Sequence, residues 1–214
     1  MKKFRLIAII RDKQMSVLTQ SLEKFSFWIE NSQSSHAQFI RNHPLRRNVN
    51  YYDDWYLKPG LEKEMIELYA EEMDFKLPEE VYELYQWHNG RFVIGDYAND
   101  VCFGTFEEGF HSVFNDGFSH FPIFFGDGCY YAIDKITDNS TSSPIRLYDG
   151  GSEVPGVYAP SLTDLMQAVV ECTENYDVIS IQYLIGEIDR KKDYLITDIY
   201  RKHGVIGQIS GLWR

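Results

Sequence analysis

Three cysteines are too few, and odd in number, for a disulfide scaffold. Cys102, Cys129 and Cys172 show no CxxC spacing, and each reads as a buried thiol acting as a small hydrophobe. Long apolar runs are absent as well, and no stretch approaches the length of a membrane span. The opening MKKFRLIAII imitates a signal peptide for five apolar residues. Arg11, Asp12 and Lys13 end that run too early for an h-region, and no small-residue cleavage site follows. A cytoplasmic protein with no membrane partner is the expectation.

Motifs that carry chemistry are missing too. The histidines are His36, His43, His88, His111, His120 and His203, and none forms HxxxH or HExxH. Asp96, Asn99 and Asp100 resemble part of a calcium loop without its spacing or terminal Glu. Gly126-Asp127-Gly128 lacks the lysine and helix of a phosphate loop, and there is no GxSxG elbow. No metal or cofactor is therefore expected. An enzyme would have to use Cys129 with a distant histidine, or paired carboxylates among Asp127, Asp134 and Asp149. Cys129 falls in a strand-like run with no basic neighbour to lower its pKa, and turn and strand-end aspartates are common for conformational reasons alone. The residues favour a non-catalytic role.

Negative charge is abundant and uneven. The chain carries a formal net charge of −11, made of +6 over residues 1–50, −14 over 51–134 and −3 over 135–214. A middle section this acidic repels nucleic-acid phosphates and attracts basic surfaces. A solvated, solubilising face is the plain alternative. The basic cluster Arg41, His43, Arg46 and Arg47 reads as a set of intramolecular partners for the acidic middle.

The periodicities describe one α+β domain, with helices packed around a mainly antiparallel sheet. At 214 residues the chain lies in the single-domain range. Met15, Leu18, Leu22, Phe25 and Ile29 form one stripe on a helix over 15–30, expected to pack on the domain's own sheet. Leu61, Met65, Leu68, Tyr69 and Met73 share one face of a second helix. Pro78 is placed at the first position of a third, with Glu79 and Glu80 at its positive end and Val81, Leu84, Tyr85 and His88 facing inward. Asn89-Gly90 is expected to stop it, Gly90 taking a left-handed backbone. RFVIG, FPIFF (121–125), CYYAID (129–134) and IRLYD (145–149) read as strands, with a tight hairpin at 126–128. Ser161 and Asp164 form a capping box before a helix whose buried face is Leu162, Leu165, Met166, Val169 and Val170.

Three of these segments together resemble the SUKH superfamily, which includes the yeast Smi/Knr cell-wall regulators and many bacterial immunity proteins. They are LKPG with the acidic helix after it, LPEEVYELYQWHNG, and FPIFFGDGCYYAID…SPIRLYDGGSEVPGVYAPSLTDLMQAVV. The resemblance covers roughly residues 17–175 and leaves 1–16 and 176–214 as extensions. It implies a protein-binding module. In the bacterial version the partner is a toxin, often a nuclease, and so a basic domain; in the yeast version the module is a regulatory scaffold. This chain lacks long low-complexity extensions, which favours the bacterial version. The partner surface is expected within the acidic, aromatic region 91–134, on Asp96, Asp100, Glu107, Glu108, Asp116 and Asp127. Phe106, Phe110, Phe114 and Phe118 are the next suspects there.

Overall fold

The computed structural model describes residues 15–42, 59–90, 93–94, 101–103, 120–126, 129–134, 136, 140–149, 152–153, 156–177 and 190–205. Helices α1 (Val17–Asn31), α2 (Ser35–Asn42), α3 (Lys63–Glu72) and α4 (Glu79–Trp87) come first. Strands β1 (Val93–Ile94), β2 (Val101–Phe103), β3 (His120–Gly126), β4 (Cys129–Asp134), β5 (Ile145–Asp149) and β6 (Ser152–Glu153) follow, then α5 (Leu162–Tyr176) and α6 (Arg190–Lys202). The strands form a meander in the order β1-β2-β3-β4-β5-β6, with every neighbouring pair antiparallel. Helices before and after an antiparallel sheet make the fold α+β, as the sequence pattern predicts.

The pleat sorts the strand residues. Phe121, Tyr131, Ile133, Ile145 and Leu147 join the buried core together with residues of α1, α4 and α5. His120, Tyr130, Asp134, Arg146 and Tyr148 alternate with them on the other face. Between Pro122 and Phe124 the register shifts, so one extra residue enters β3. Pro122, paired with Ala132, sits next to that bulge, a place where a sheet tolerates proline.

Helix α1 is packed into the core by the stripe its sequence predicts. Its nearest helices are α5, α2 and α4, and its buried side chains share one core with the strand residues. Leu18, Leu22, Phe25 and Ile29 are buried as their spacing predicts, whereas Met15 precedes the helix and stays exposed. Trp28 donates from Nε1 to Asp177 Oδ1 at 2.6 Å, and Ser32 Oγ donates to the same oxygen at 2.7 Å. Asp177 is the left-handed cap of α5, so one carboxylate fastens the ends of two helices. Arg41 donates to the carbonyls of Ile29 and Ser32, the latter at 2.7 Å. It thus satisfies the orphan C-terminal carbonyls of α1 instead of pairing with the acidic middle. His43, Arg46 and Arg47 lie outside the described residues.

A candidate docking face on helices α3 and α4

The turn LKPG ends on a glycine because the last turn of α4 leaves no room for a side chain. A Cβ on Gly60 would lie 1.6 Å from the Gln86 carbonyl oxygen and 2.3 Å from its carbon. With that clearance, Leu61 N–H reaches the Tyr85 carbonyl at 2.9 Å, and Pro59 forms an isolated antiparallel bridge with His88. The bridge changes how α4 stops. Gly90 does have φ +78°, as the Asn-Gly pair suggests. The helix, however, ends at Trp87, and His88 is already extended at φ −151° and ψ 143°. His88 closes α4 by pairing outward, and Gly90 turns the chain two residues later.

At its other end α4 begins one residue later than predicted. Pro78 is the extended residue before the helix rather than its first turn. Thr141 supplies the carbonyl that accepts the Glu80 N–H at 3.1 Å. The Glu80 side chain does not serve its own helix. It crosses to the start of α5, where its carboxylate accepts from Leu162 N–H at 3.2 Å, Thr163 N–H at 2.9 Å and the Thr163 hydroxyl. Ser161 Oγ meanwhile accepts from Asp164 N–H at 3.0 Å, the expected N-cap, and donates to Asp164 Oδ2 at 2.6 Å. Burial pushes the Glu80 pKa up, and these donors oppose the rise. Glu83 accepts from Ser16 and Thr19, the Thr19 bond being 2.8 Å, and so anchors the start of α1. Both carboxylates are structural.

The remaining acids of this region stand in solvent on α3 and its flanks. Of the expected inward face of α3, Leu61, Tyr69 and Met73 pack against the core, while Met65 and Leu68 do not. Ile66 and Ala70 are the buried pair, while Met65 is 40% and Leu68 46% exposed. Glu62, Glu64, Glu67, Glu71, Glu72, Asp74 and Glu79 are also exposed. Two apolar side chains are thus set among carboxylates. Helix α3 has no basic residue in its last turn, where a positive charge would meet the negative end of its dipole. Glu67 and Glu71 are four apart, a like-charge spacing that costs a helix about 0.2–0.5 kcal/mol.

The C-terminal end of α3 carries a concavity. Asp74 takes φ +50°, its N–H bonds to Glu71 O at 3.0 Å, and Phe75 N–H bonds to Ala70 O at 2.8 Å. This is a Schellman closure with aspartate where glycine is usual. It swings Phe75 back under the helix, onto Phe121 of β3 with ring centroids 5.5 Å apart. The resulting groove, about 470 Å³, is lined among the described residues by Glu67, Ala70, Glu71, Asp74, Phe75, Lys76 and Tyr82. Burial raises the Tyr82 pKa, and the charges of Glu67, Glu79 and Glu71 raise it further. Lys63 Nζ lies 5.1 Å from the centroid of the Tyr82 ring and 3.3 Å from Glu79.

The outer face of the sheet carries a second cluster. Tyr130 and Tyr148 stack at 4.7 Å with an interplanar angle of 1°, and His120 stacks on Tyr148 at 4.4 Å. Beside them Arg146 bonds Asp134 at 2.8 Å and Glu153 at 2.9 Å. Burial lowers the His120 pKa. Tyr148 is buried, and Asp134 is held as the ion-pair partner of Arg146.

Asp96, Asp100, Glu107, Glu108, Asp116 and Asp127 lie outside the described residues, as do Phe106, Phe110, Phe114 and Phe118. Cys129 opens β4 opposite Gly126. Cys172 is a free, fully buried thiol of α5 whose pKa burial pushes up to about 12. Among the described residues, no three His, Cys, Asp or Glu side chains converge as a metal site, and no helix is long and apolar enough to cross a membrane. Sequence reasoning did not single out the groove lined by Glu67, Glu71, Asp74 and Tyr82. The available signal was the like-charge spacing of Glu67 and Glu71 on a helix with no C-terminal base.

Comparison with curated proteins finds no match. Residues 60–168 match the SMI1 / KNR4 family (SUKH-1), an interval that opens on the glycine packed under α4 and runs through the sheet into α5, with α1, α2 and α6 outside it. The chain belongs to the SMI1 / KNR4 family (SUKH-1).

Proposed function

We propose that the chain is a non-catalytic protein-binding module of the immunity type, which neutralises a toxin by docking its basic domain. The observation that carries this reading is the face of α3, where exposed Met65 and Leu68 sit among Glu62, Glu64, Glu67, Glu71 and Glu72. Apolar contacts supply affinity and surrounding charge supplies speed and selectivity, the division of labour usual in protein interfaces. A nuclease toxin is basic where it holds phosphate, so this face is complementary to the surface that must be blocked. Asp96, Asp100, Glu107, Glu108, Asp116 and Asp127 extend the same charge along the chain and belong to the proposed surface. The family also includes regulatory scaffolds, but no particular observation favours that reading.

The test takes the product of the gene next to this one as the candidate toxin. Co-expression relieves its toxicity, and stopped-flow association slows sharply as salt rises, because the Debye length falls from about 30 Å at 0.01 M to about 8 Å at 0.15 M. Charge reversal at Glu64 and Glu72, and separately at Glu107 and Glu108, mimics high salt. An association rate indifferent to salt and to both pairs of reversals would sink the electrostatic reading.

A further inference from the structure

We infer that α6 is a strap that lifts off α5 as a unit while the sheet stays folded, and that the Tyr200 hydroxyl sets how readily it lifts. The inference does not depend on the partner proposed above.

Helix α6 is docked by Ile196, Ile199 and Tyr200, with Val205 just beyond its end, all four buried. The helix it packs on is α5. Its end is closed by Gly204 at φ +72°, and Val205 N–H bonds back to the Tyr200 carbonyl at 2.8 Å. Lys202 and His203 reach Glu171 of α5 at 2.7 Å and 2.8 Å. The Lys202 side chain is 63% exposed, and ion pairs in solvent hold little. The matched family interval stops at residue 168, so α6 is an addition to the shared core.

The polar group buried in this contact is unsatisfied. Tyr200 is 1% exposed, and its hydroxyl has no hydrogen-bond partner among the described residues. Burial raises the Tyr200 pKa, and the neighbouring Cys172 thiol and the Tyr158 and Tyr131 hydroxyls raise it further. Docking α6 strips water from the Tyr200 hydroxyl and returns no bond, whereas lifting α6 restores the water. Helix α1 packs on the same α5 with its polar groups met. Trp28 Nε1 and Ser32 Oγ both donate to Asp177, and Lys24 pairs with Glu174. Of the two helices, α6 is therefore the one whose docked state is penalised, and local opening is drawn from weakly held elements. A phenylalanine at 200 would fill the same space without the penalty, so the tyrosine keeps α6 loose. Cys172 is fully buried beside Tyr200 and reports the opening.

The experiment treats the native full chain with iodoacetamide and follows the Cys172 adduct by peptide mass spectrometry, beside hydrogen exchange of α6 and of β3 to β5. Cys172 is expected to alkylate over hours rather than minutes, ahead of global unfolding. Its rate should depend on urea less steeply than tryptophan fluorescence does, because lifting one helix exposes little surface. The α6 amides should exchange with the same opening equilibrium while those of β3 to β5 stay protected. Tyr200→Phe slows alkylation about tenfold, and Ile199→Val on the same face speeds it about fivefold. Alkylation no faster than global unfolding, and as steep in urea, would overturn the strap. So would α6 amides that stay protected while Cys172 reacts, or an Ile199→Val variant that alkylates like wild type, because the thiol would then be reached another way. A Tyr200→Phe variant with unchanged circular dichroism that alkylates as fast as wild type, or faster, would overturn the role of the hydroxyl.

Discussion

Replacing Gly60 by alanine is the sharpest test of how the LKPG turn is built. The added Cβ would lie 1.6 Å from Gln86 O, 2.3 Å from Gln86 C and 3.1 Å from Gln86 Cα. All three are backbone atoms of a helix, so no rotamer change relieves the clash. The turn must withdraw from α4, and it then loses the Leu61 N–H bond to Tyr85 O and the Pro59–His88 bridge. Overpacking costs about 1–3 kcal/mol, and the lost hydrogen bond adds about 0.5–1.5 kcal/mol. Alanine recovers about 0.4–1 kcal/mol by restricting the unfolded chain. The net expectation is a destabilisation of about 0.5–4 kcal/mol, centred on about 2 kcal/mol, which corresponds to roughly 4–8 °C in Tm for a chain of this size. Urea unfolding followed by tryptophan fluorescence reads this directly, because Trp87 closes α4 with its Nε1 bonded to Ser26 Oγ at 2.9 Å. A change below about 0.5 kcal/mol, within the range of ordinary surface substitutions, would refute the close-approach argument.

Glu80→Ala should cost about 2–3 kcal/mol at pH 5, because it leaves three donors at the start of α5 without their acceptor; urea midpoints comparable to wild type would contradict this. Because burial raises the Glu80 pKa, its contribution is fully present below the ordinary value of 4.5 and declines as pH rises through its folded value. The cost of Glu80→Gln therefore shrinks with rising pH. Glu171 behaves oppositely. Lys202 at 2.7 Å and His203 at 2.8 Å hold its pKa below 4.5, so its tie between α5 and α6 is present above that value and is lost as pH falls through the folded one. Glu171→Gln is expected to lower Tm at neutral pH and to be silent in strong acid, checked by thermal scans across that range. Thiol titration in denaturant without reductant should find three free thiols, and native protein should hide Cys172. The register sets Cys102 and Cys129 two strands apart, roughly 10 Å, beyond the ~7 Å that a disulfide can bridge. A count of one thiol would refute that separation.

The sequence by itself determined the elements whose instructions are local. CYYAID and IRLYD form strands at the predicted residues, because aromatic and β-branched runs bounded by glycine or polar residues satisfy one backbone geometry. Ser161 caps α5 through Asp164 three residues on, and Gly90 takes the positive φ that Asn-Gly announces. Family membership was legible for the same reason, since ordered short segments carry it. The concentration of acid over 51–134 was legible from composition, though composition does not say which carboxylates reach solvent. Only the tertiary structure decided that. Helix α3 has apolar residues on two faces, so its period admits either stripe, and packing chose Ile66 and Ala70 and left Met65 and Leu68 outside. Glu80 looked like a helix-start residue of α4, yet its acceptors serve α5, 82 residues along the chain. His88 ends α4 because Pro59 is there to pair with it, and Gly60 must be glycine because Gln86 lies against it. Torsional preference and periodicity act over a few neighbouring residues and can be read along the chain. Burial, pairing and clearance depend on which distant segments meet, and folding alone fixes those.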